Sequence, residues 1–213
     1  MPHVECTLLA DGPFDAALIP ILQWTLEAQP GIENASFVWA DLSRLPRPPR
    51  DLGGKIVAAL ALYRCDVLFV HRDAENQPPE RRRNEIRDAM VEARRAWQVL
   101  PYVCVVPVRM SEAWFLLDEC AIRQAAGNPN GAMPLTLPRA NQVEEIPDPK
   151  AVLREVLRTA SNRNRRRLKT FRVAQAARLV PQYMVDFKCL RVLSAFRQLE
   201  ADVQRLAAEL ATG

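Results

Sequence analysis

Short runs of strand-forming apolar residues alternate with segments of helical period through the first half of the chain, and no other feature restricts the fold as much. Residues 4–10 form the first run, and residues 14–28 then place Leu18, Ile21, Leu22 and Leu26 on one helical face. A second strand at 36–40 precedes a helix at 52–63, and a third strand at 65–71 precedes a long charged helix at 80–100 with Ile86, Met90, Ala93 and Trp97 along one side. Residues 102–108 give a fourth strand and 111–126 a fourth helix. Strands that alternate with helices require right-handed crossovers, which lay the strands parallel and cover both faces of the sheet. The unbroken apolar stretches at 67–70 and 103–108 suit strands buried on both sides. The expected fold is therefore α/β, a four-stranded, mainly parallel sheet with flanking helices.

The pattern changes after residue 126. Asn128-Pro129-Asn130-Gly131, Pro134, Pro138, Pro147 and Pro149 exclude a continuous helix over 127–149, and a loop of that length points to a functional or ordered excursion. Beyond it the chain reads as helical: 151–159, a basic segment over 163–179, and a last helix from about 187 to 210 carrying Leu190, Leu193, Phe196, Leu199, Val203, Leu206 and Leu210. The expected organisation is an α/β domain over 1–126, a proline-rich loop over 127–149 and a helical C-terminal extension over 150–213.

With 213 residues, 49% of them hydrophobic, the chain is long enough to bury a substantial core. Five cysteines without a CxxC pair and only two histidines argue against a disulfide scaffold and against a Cys/His zinc site. No apolar stretch reaches membrane-spanning length and the N-terminus has no signal-like pattern, so a soluble, cytoplasmic protein is expected. The net charge of +4 is modest, but arginines gather at 81–83 and as Arg163, Arg165, Arg166 and Arg167 with Lys169. Such clusters suit either a polyanionic partner or ordinary solvated helix faces.

Acidic residues fall where the strands end. The first strand runs into Asp11-Gly12 and Asp15, the second into Asp41, the third into His71-Arg72-Asp73-Ala74-Glu75, and the fourth leads to Glu112. Ligands of open parallel sheets bind at the carboxyl ends of the strands. Asp41 alone reads as a turn or capping residue. The joint placement of Asp11, Asp73, Glu75 and Glu112 says more, because crowded carboxylates repel unless a cation neutralises them. Oxygen donors without sulfur favour Mg2+ or Mn2+.

This layout resembles the Toprim fold of topoisomerases, primases and the OLD (overcoming lysogenization defect) nucleases. Asp11-Gly12 with Asp15 is similar to that fold's first acidic motif, and Asp73-Ala74-Glu75 to its Asp-x-Asp motif. More closely, the chain resembles an uncharacterised bacterial Toprim-related family often encoded beside AAA-type ATPases. The resemblance rests on His71-Arg72-Asp73-Ala74-Glu75, on Glu112-Ala113-Trp114-Phe115-Leu116-Leu117-Asp118 and on Asp148-Pro149-Lys150. Asp11 stands where the pattern has Glu and Glu75 where it has Asp, which moves each carboxylate by about a bond length.

The resemblance implies a metal-dependent nuclease, the effector of an anti-phage defence system acting with an ATPase partner, and it is compatible with an oligomer. Asp11, Asp73, Glu75 and Glu112 would hold Mg2+ or Mn2+, and Asp15 or Glu112 would complete a second site or move a proton. The catalytic set would then be Asp11, Asp15, Asp73 and Glu112. Arg72, Lys150, Lys169 and Arg172 are candidates for binding phosphate, and Arg163, Arg165, Arg166 and Arg167 for holding the nucleic-acid backbone, DNA or RNA. The alternative is a catalytically silent Toprim-like subunit that binds nucleic acid and docks on an ATPase. A phosphotransfer domain with Asp11 as nucleophile fits less well, because no lysine follows the fourth strand closely.

Overall fold

The computed structural model describes residues 3–96 and 100–212. Four strands form one sheet in the order β2-β1-β3-β4. They are β1 (His3–Leu9), β2 (Asn34–Trp39), β3 (Val67–His71) and β4 (Tyr102–Val105). Every pairing is parallel, with Leu8 opposite Phe69 and Val70 opposite Cys104. This is the α/β, Rossmann-like architecture that the alternation requires. Central strand β3 is buried at all five positions, whereas edge strand β2 alternates between core and solvent. Fully apolar and alternating sequences thus sort to the centre and the edge of the sheet, as burial on two faces or one dictates.

The chain divides into two compact units, Met1–Val106 with Gln198–Gly213, and Pro107–Arg197. This division does not fall at the expected boundaries near 126 and 150. The segment after the fourth strand belongs with the helices that follow it, and the end of the last helix belongs with the sheet.

In the first unit, α1 (Ile19–Glu27) buries Ile21, Leu22 and Leu26 and packs beside β2. Helix α2 (Leu52–Leu62) begins where the Asp51 carboxylate accepts the Gly54 N–H at 2.7 Å, satisfying a donor that the first turn leaves open. Helix α3 (Pro79–Ala93) opens on a proline, whose missing N–H costs nothing at that position. Ile56 and Leu60 of α2 meet Ile86 and Met90 of α3 over Leu68 and Val70 of β3 in one core cluster. Each such side chain contributes about 1.5–3 kcal/mol on burial. The helix expected over 80–100 ends at Ala93, and the expected place of Trp97 on its face lies outside the described residues. The fourth strand stops at Val105, just before Pro107.

In the second unit the single helix expected over 111–126 is two elements. Residues Ser111–Leu117 form a 3₁₀ helix, Asp118 turns extended, and its side chain accepts the Ala121 N–H at 2.9 Å to cap α4 (Glu119–Ala125). An aspartate that caps a new helix competes with continuation of the old one. Helix α4 ends at Gly127, whose φ of +73° is a left-handed stop. Helices α5 (Pro149–Ala160), α6 (Arg165–Leu168) and α7 (Val173–Tyr183) follow. The last helix, α8 (Ser194–Thr212), starts later than expected. The Glu144 carboxylate, from the proline-rich segment, accepts the N–H groups of Ser194 at 2.9 Å and Ala195 at 3.0 Å and so sets its first turn. Trp114 is fully buried in this unit with its ring edge-on to Phe196, centroids 5.7 Å apart. Among the described residues no helix is long and apolar enough to cross a membrane.

Candidate functional site

The tips of the two central strands gather three of the first unit's acids, Asp11, Asp15 and Asp73. β1 runs out at Leu9, and the turn that follows carries Asp11 and Asp15. Asp15 opens a 3₁₀ turn (Asp15–Leu18), and its Oδ2 accepts the Gly12 N–H at 3.1 Å, which fixes the carboxylate beneath the loop. β3 ends at His71, so Arg72 and Asp73 leave the neighbouring strand at the same level.

His71 is the centre of the arrangement, its side chain only 2% exposed. Its Nδ1 lies 3.6 Å from Asp15 Oδ2 and its Nε2 lies 3.2 Å from Asp73 Oδ1. Neither nitrogen makes a well-aligned hydrogen bond, so these are charge contacts first. Burial by itself lowers the proton affinity of the imidazole, but the Asp73 contact and the charges of Asp15, Asp73 and Asp11 outweigh it and leave the His71 pKa raised. Asp15 is also raised: burial is the main cause, opposed by His71 and reinforced by Asp73 and Asp11. Asp15 and the buried imidazole of His71 thus both feel the charges of Asp73 and Asp11.

Asp11, half-exposed, receives two cations. Lys55 Nζ of α2 reaches its Oδ1 at 3.0 Å, and Arg72 Nε reaches its Oδ2 at 3.0 Å. Glu75 takes a different direction. Its backbone is left-handed, φ +54°, and its carboxylate meets Arg82 of α3 at 3.0 Å, while Arg82 also donates to the Asp73 carbonyl at 3.2 Å. Asp41, as its position suggested, is a cap: it accepts the Ser43 N–H at 3.1 Å.

The remaining candidates belong to the second unit. Glu112 is buried on the 3₁₀ helix, with Lys150 Nζ 3.4 Å from its Oε1. Lys150 sits in the first turn of α5, whose start is fixed by Asp148 accepting the Ala151 N–H at 2.9 Å, and α5 packs against that 3₁₀ helix. The second and third family-like motifs thus meet as an ion pair. Arg165, Arg166 and Arg167 are exposed on α6, which Asn164 caps by accepting the Arg167 N–H at 3.0 Å. Arg163 lies over the Phe171 ring at 4.7 Å, and Arg172 lines the same shallow depression; Lys169 is exposed nearby in the sequence.

The structure brings together Asp11, Asp15, Arg72 and Asp73 of the expected site. Glu75 is turned toward Arg82, and Glu112, Lys150, Lys169 and Arg172 lie in the other unit. Two further members are His71, which the sequence reading quoted within a motif but gave no role, and Lys55, which it did not name. His71 was visible as the last residue of a buried strand flanked by acids; Lys55 had no signal beyond a helical position after Gly53-Gly54. Carboxylate oxygens from Asp11 and Asp73 have the chemistry to suit a hard divalent cation. In the present arrangement lysine, arginine and histidine side chains occupy them, and among the described residues no group of three or more acidic, histidine or cysteine side chains converges as a metal site. Compared with known protein families, curated proteins and solved structures, the chain matches none.

Proposed function

We propose that the chain is a Toprim-like, metal-dependent phosphodiester hydrolase whose centre is the β1 and β3 strand tips. The observation that carries this reading is geometric: Asp15 and Asp73 lie 3.6 and 3.2 Å from the two nitrogens of buried His71, with Asp11 beside them on the neighbouring strand tip. Concentrated negative charge at the carboxyl end of a parallel sheet favours a divalent cation. Asp11 and Asp73 would hold Mg2+ or Mn2+, which when bound supplies Lewis acidity toward a phosphoryl oxygen. Asp15, with its raised proton affinity, is suited to accept a proton during the reaction. His71 orients Asp15 and Asp73 rather than reacting. Arg72 and Lys55, now on Asp11, are placed to turn to non-bridging phosphate oxygens. The nucleic-acid substrate, the ATPase partner and a role in phage defence belong to the same proposal and rest on the three sequence motifs.

A second reading has its own observation. The Lys55 and Arg72 cations on Asp11 and the His71 proton between Asp15 and Asp73 supply internal counter-charge. A site neutralised in that way needs no metal, which favours a silent subunit that binds nucleic acid and docks on an ATPase.

Calorimetric titration with Mn2+ separates the two. The hydrolase reading expects binding that weakens at least about tenfold, or 1.4 kcal/mol, in Asp73→Asn, together with Mn2+-dependent cleavage of nucleic acid lost in the same variant. Absence of Mn2+ binding to the folded wild-type protein would rule out the hydrolase and leave the silent subunit.

A further inference from the structure

The outer edge of β4 carries a cleft for which the proposed function has no use. It lies within the first unit between α3, β4 and α8 and encloses about 510 Å3. That volume is typical of small-molecule sites. Arg83, Arg87 and Arg94 line it from α3 and its C-terminal end, and Arg205 from α8, against the carboxylates of Asp202 and Glu209.

These charges are not equivalent. Arg83 and Asp202 hold each other at 2.6 Å with both side chains 9% exposed. Asp202 also pairs with Arg205 and accepts from Gln198 at 3.0 Å, so its charge is fully engaged. Arg87 shares Glu80 at 2.7 Å and Asn84 at 2.6 Å and remains half-exposed. Arg94 makes no ion pair among the described residues. The wall is otherwise apolar, from Leu100, Pro101 and Leu206, and Tyr102 adds an aromatic ring. Burial and Cys104 push the Tyr102 phenol up, against the charges of Arg87, Arg94 and Arg83.

The strand contributes too. Among the described residues β4 pairs only with β3, and the carbonyls of Pro101 and Val105 accept from Leu68 and Arg72 on that side. Alternate residues of a strand turn their backbone groups to opposite edges, so the amides of Tyr102 and Cys104 face the cleft. The cleft thus combines surplus guanidinium, an aromatic and aliphatic wall, and outward peptide groups.

We infer that this cleft binds a nucleoside phosphate. Arg87, Arg94 and Arg205 receive the phosphate oxygens, for which planar, permanently charged guanidinium groups are matched. The base lies against Tyr102 and Pro101, where the outward peptide groups of β4 meet its hydrogen-bonding edge. The site is separate in residues from the strand tips and does not depend on the hydrolase reading.

Equilibrium titration with ADP, pyrophosphate, adenosine and an acidic octapeptide tests it. ADP binds, and pyrophosphate and adenosine each bind at least tenfold more weakly. Arg87→Gln and Arg94→Gln, both altering exposed side chains, each weaken ADP about tenfold, or 1.4 kcal/mol. Tyr102→Leu weakens ADP without changing pyrophosphate, and Asp73→Asn leaves ADP binding intact. Folding of every variant is verified by circular dichroism. The inference is overturned by no ADP binding, by equal affinity for ADP and pyrophosphate, by unchanged affinity in both arginine variants, or by tighter binding of the peptide, which would make the edge a docking strand.

Discussion

Removing the carboxylate of Asp202 tests how strongly the last helix is tied to α3. Arg83 and Asp202 face each other at 2.6 Å, each side chain 9% exposed. Breaking a buried pair from one side costs about 3–5 kcal/mol, because the surviving charge stays out of water. In Asp202→Ala, Arg83 retains Glu80 at 3.6 Å, but Glu80 is 61% exposed and its charge is well screened. The low end of the range therefore applies, about 3 kcal/mol. Loss of the exposed Arg205 contact adds only about 0.2–1 kcal/mol. With a urea slope of roughly 2–3 kcal/mol/M, a total of about 3–4 kcal/mol should lower the unfolding midpoint by about 1–2 M. The control is Arg83→Met with Asp202→Leu, which removes both charges and keeps the volume apolar. It should return to within about 1 kcal/mol of wild type. If Asp202→Ala costs under about 1 kcal/mol, or the double variant costs as much as the single, the buried pair does not do what its geometry implies.

Two further outcomes follow from the charge arrangement. Because the folded pKa of His71 is raised above an unfolded value of about 6.5, its stabilisation is complete below that pH and is lost as pH climbs through the folded value. Asp15, also raised, acts with the same sign from about pH 4 upward, so the urea midpoint should fall as pH rises above about 6.5 and His71→Gln should flatten that slope; an unchanged slope would contradict the buried imidazolium. Replacing Arg165, Arg166 and Arg167 with alanine should leave stability within about 0.5 kcal/mol, since all three are exposed. If they hold a nucleic-acid backbone, the salt dependence of binding should become shallower by up to about 0.7–0.9 per lost contact, and an identical slope would leave them as solvated charges.

The sheet was legible because its signal is local. Val67–His71 is apolar without interruption and became the fully buried β3, and the acids after β1 and β3 converge because parallel neighbours end at the same level. Element boundaries were less legible where a side chain elsewhere decides them. Nothing near Ser194 announces a helix start, since its cap is Glu144, distant in sequence. Asp118 breaks a run whose apolar residues alone read as one helix. The site shows the same division. Asp11, Asp15 and Asp73 could be found from strand ends, but the direction of Glu75 depends on a left-handed backbone and on Arg82 one helix away. Lys55 reaches Asp11 only through the packing of α2, which no spacing rule reports.

The first unit is completed by residues from both sides of the second, so its parts are not synthesised together. A ribosome that has finished β4 must make all of Pro107–Arg197 before the part of α8 that belongs to the first unit follows, several seconds at about 5–20 residues per second. During that interval the nascent sheet ends in β4 without Asp202 to engage Arg83. An unshielded parallel edge is a template for pairing with other chains.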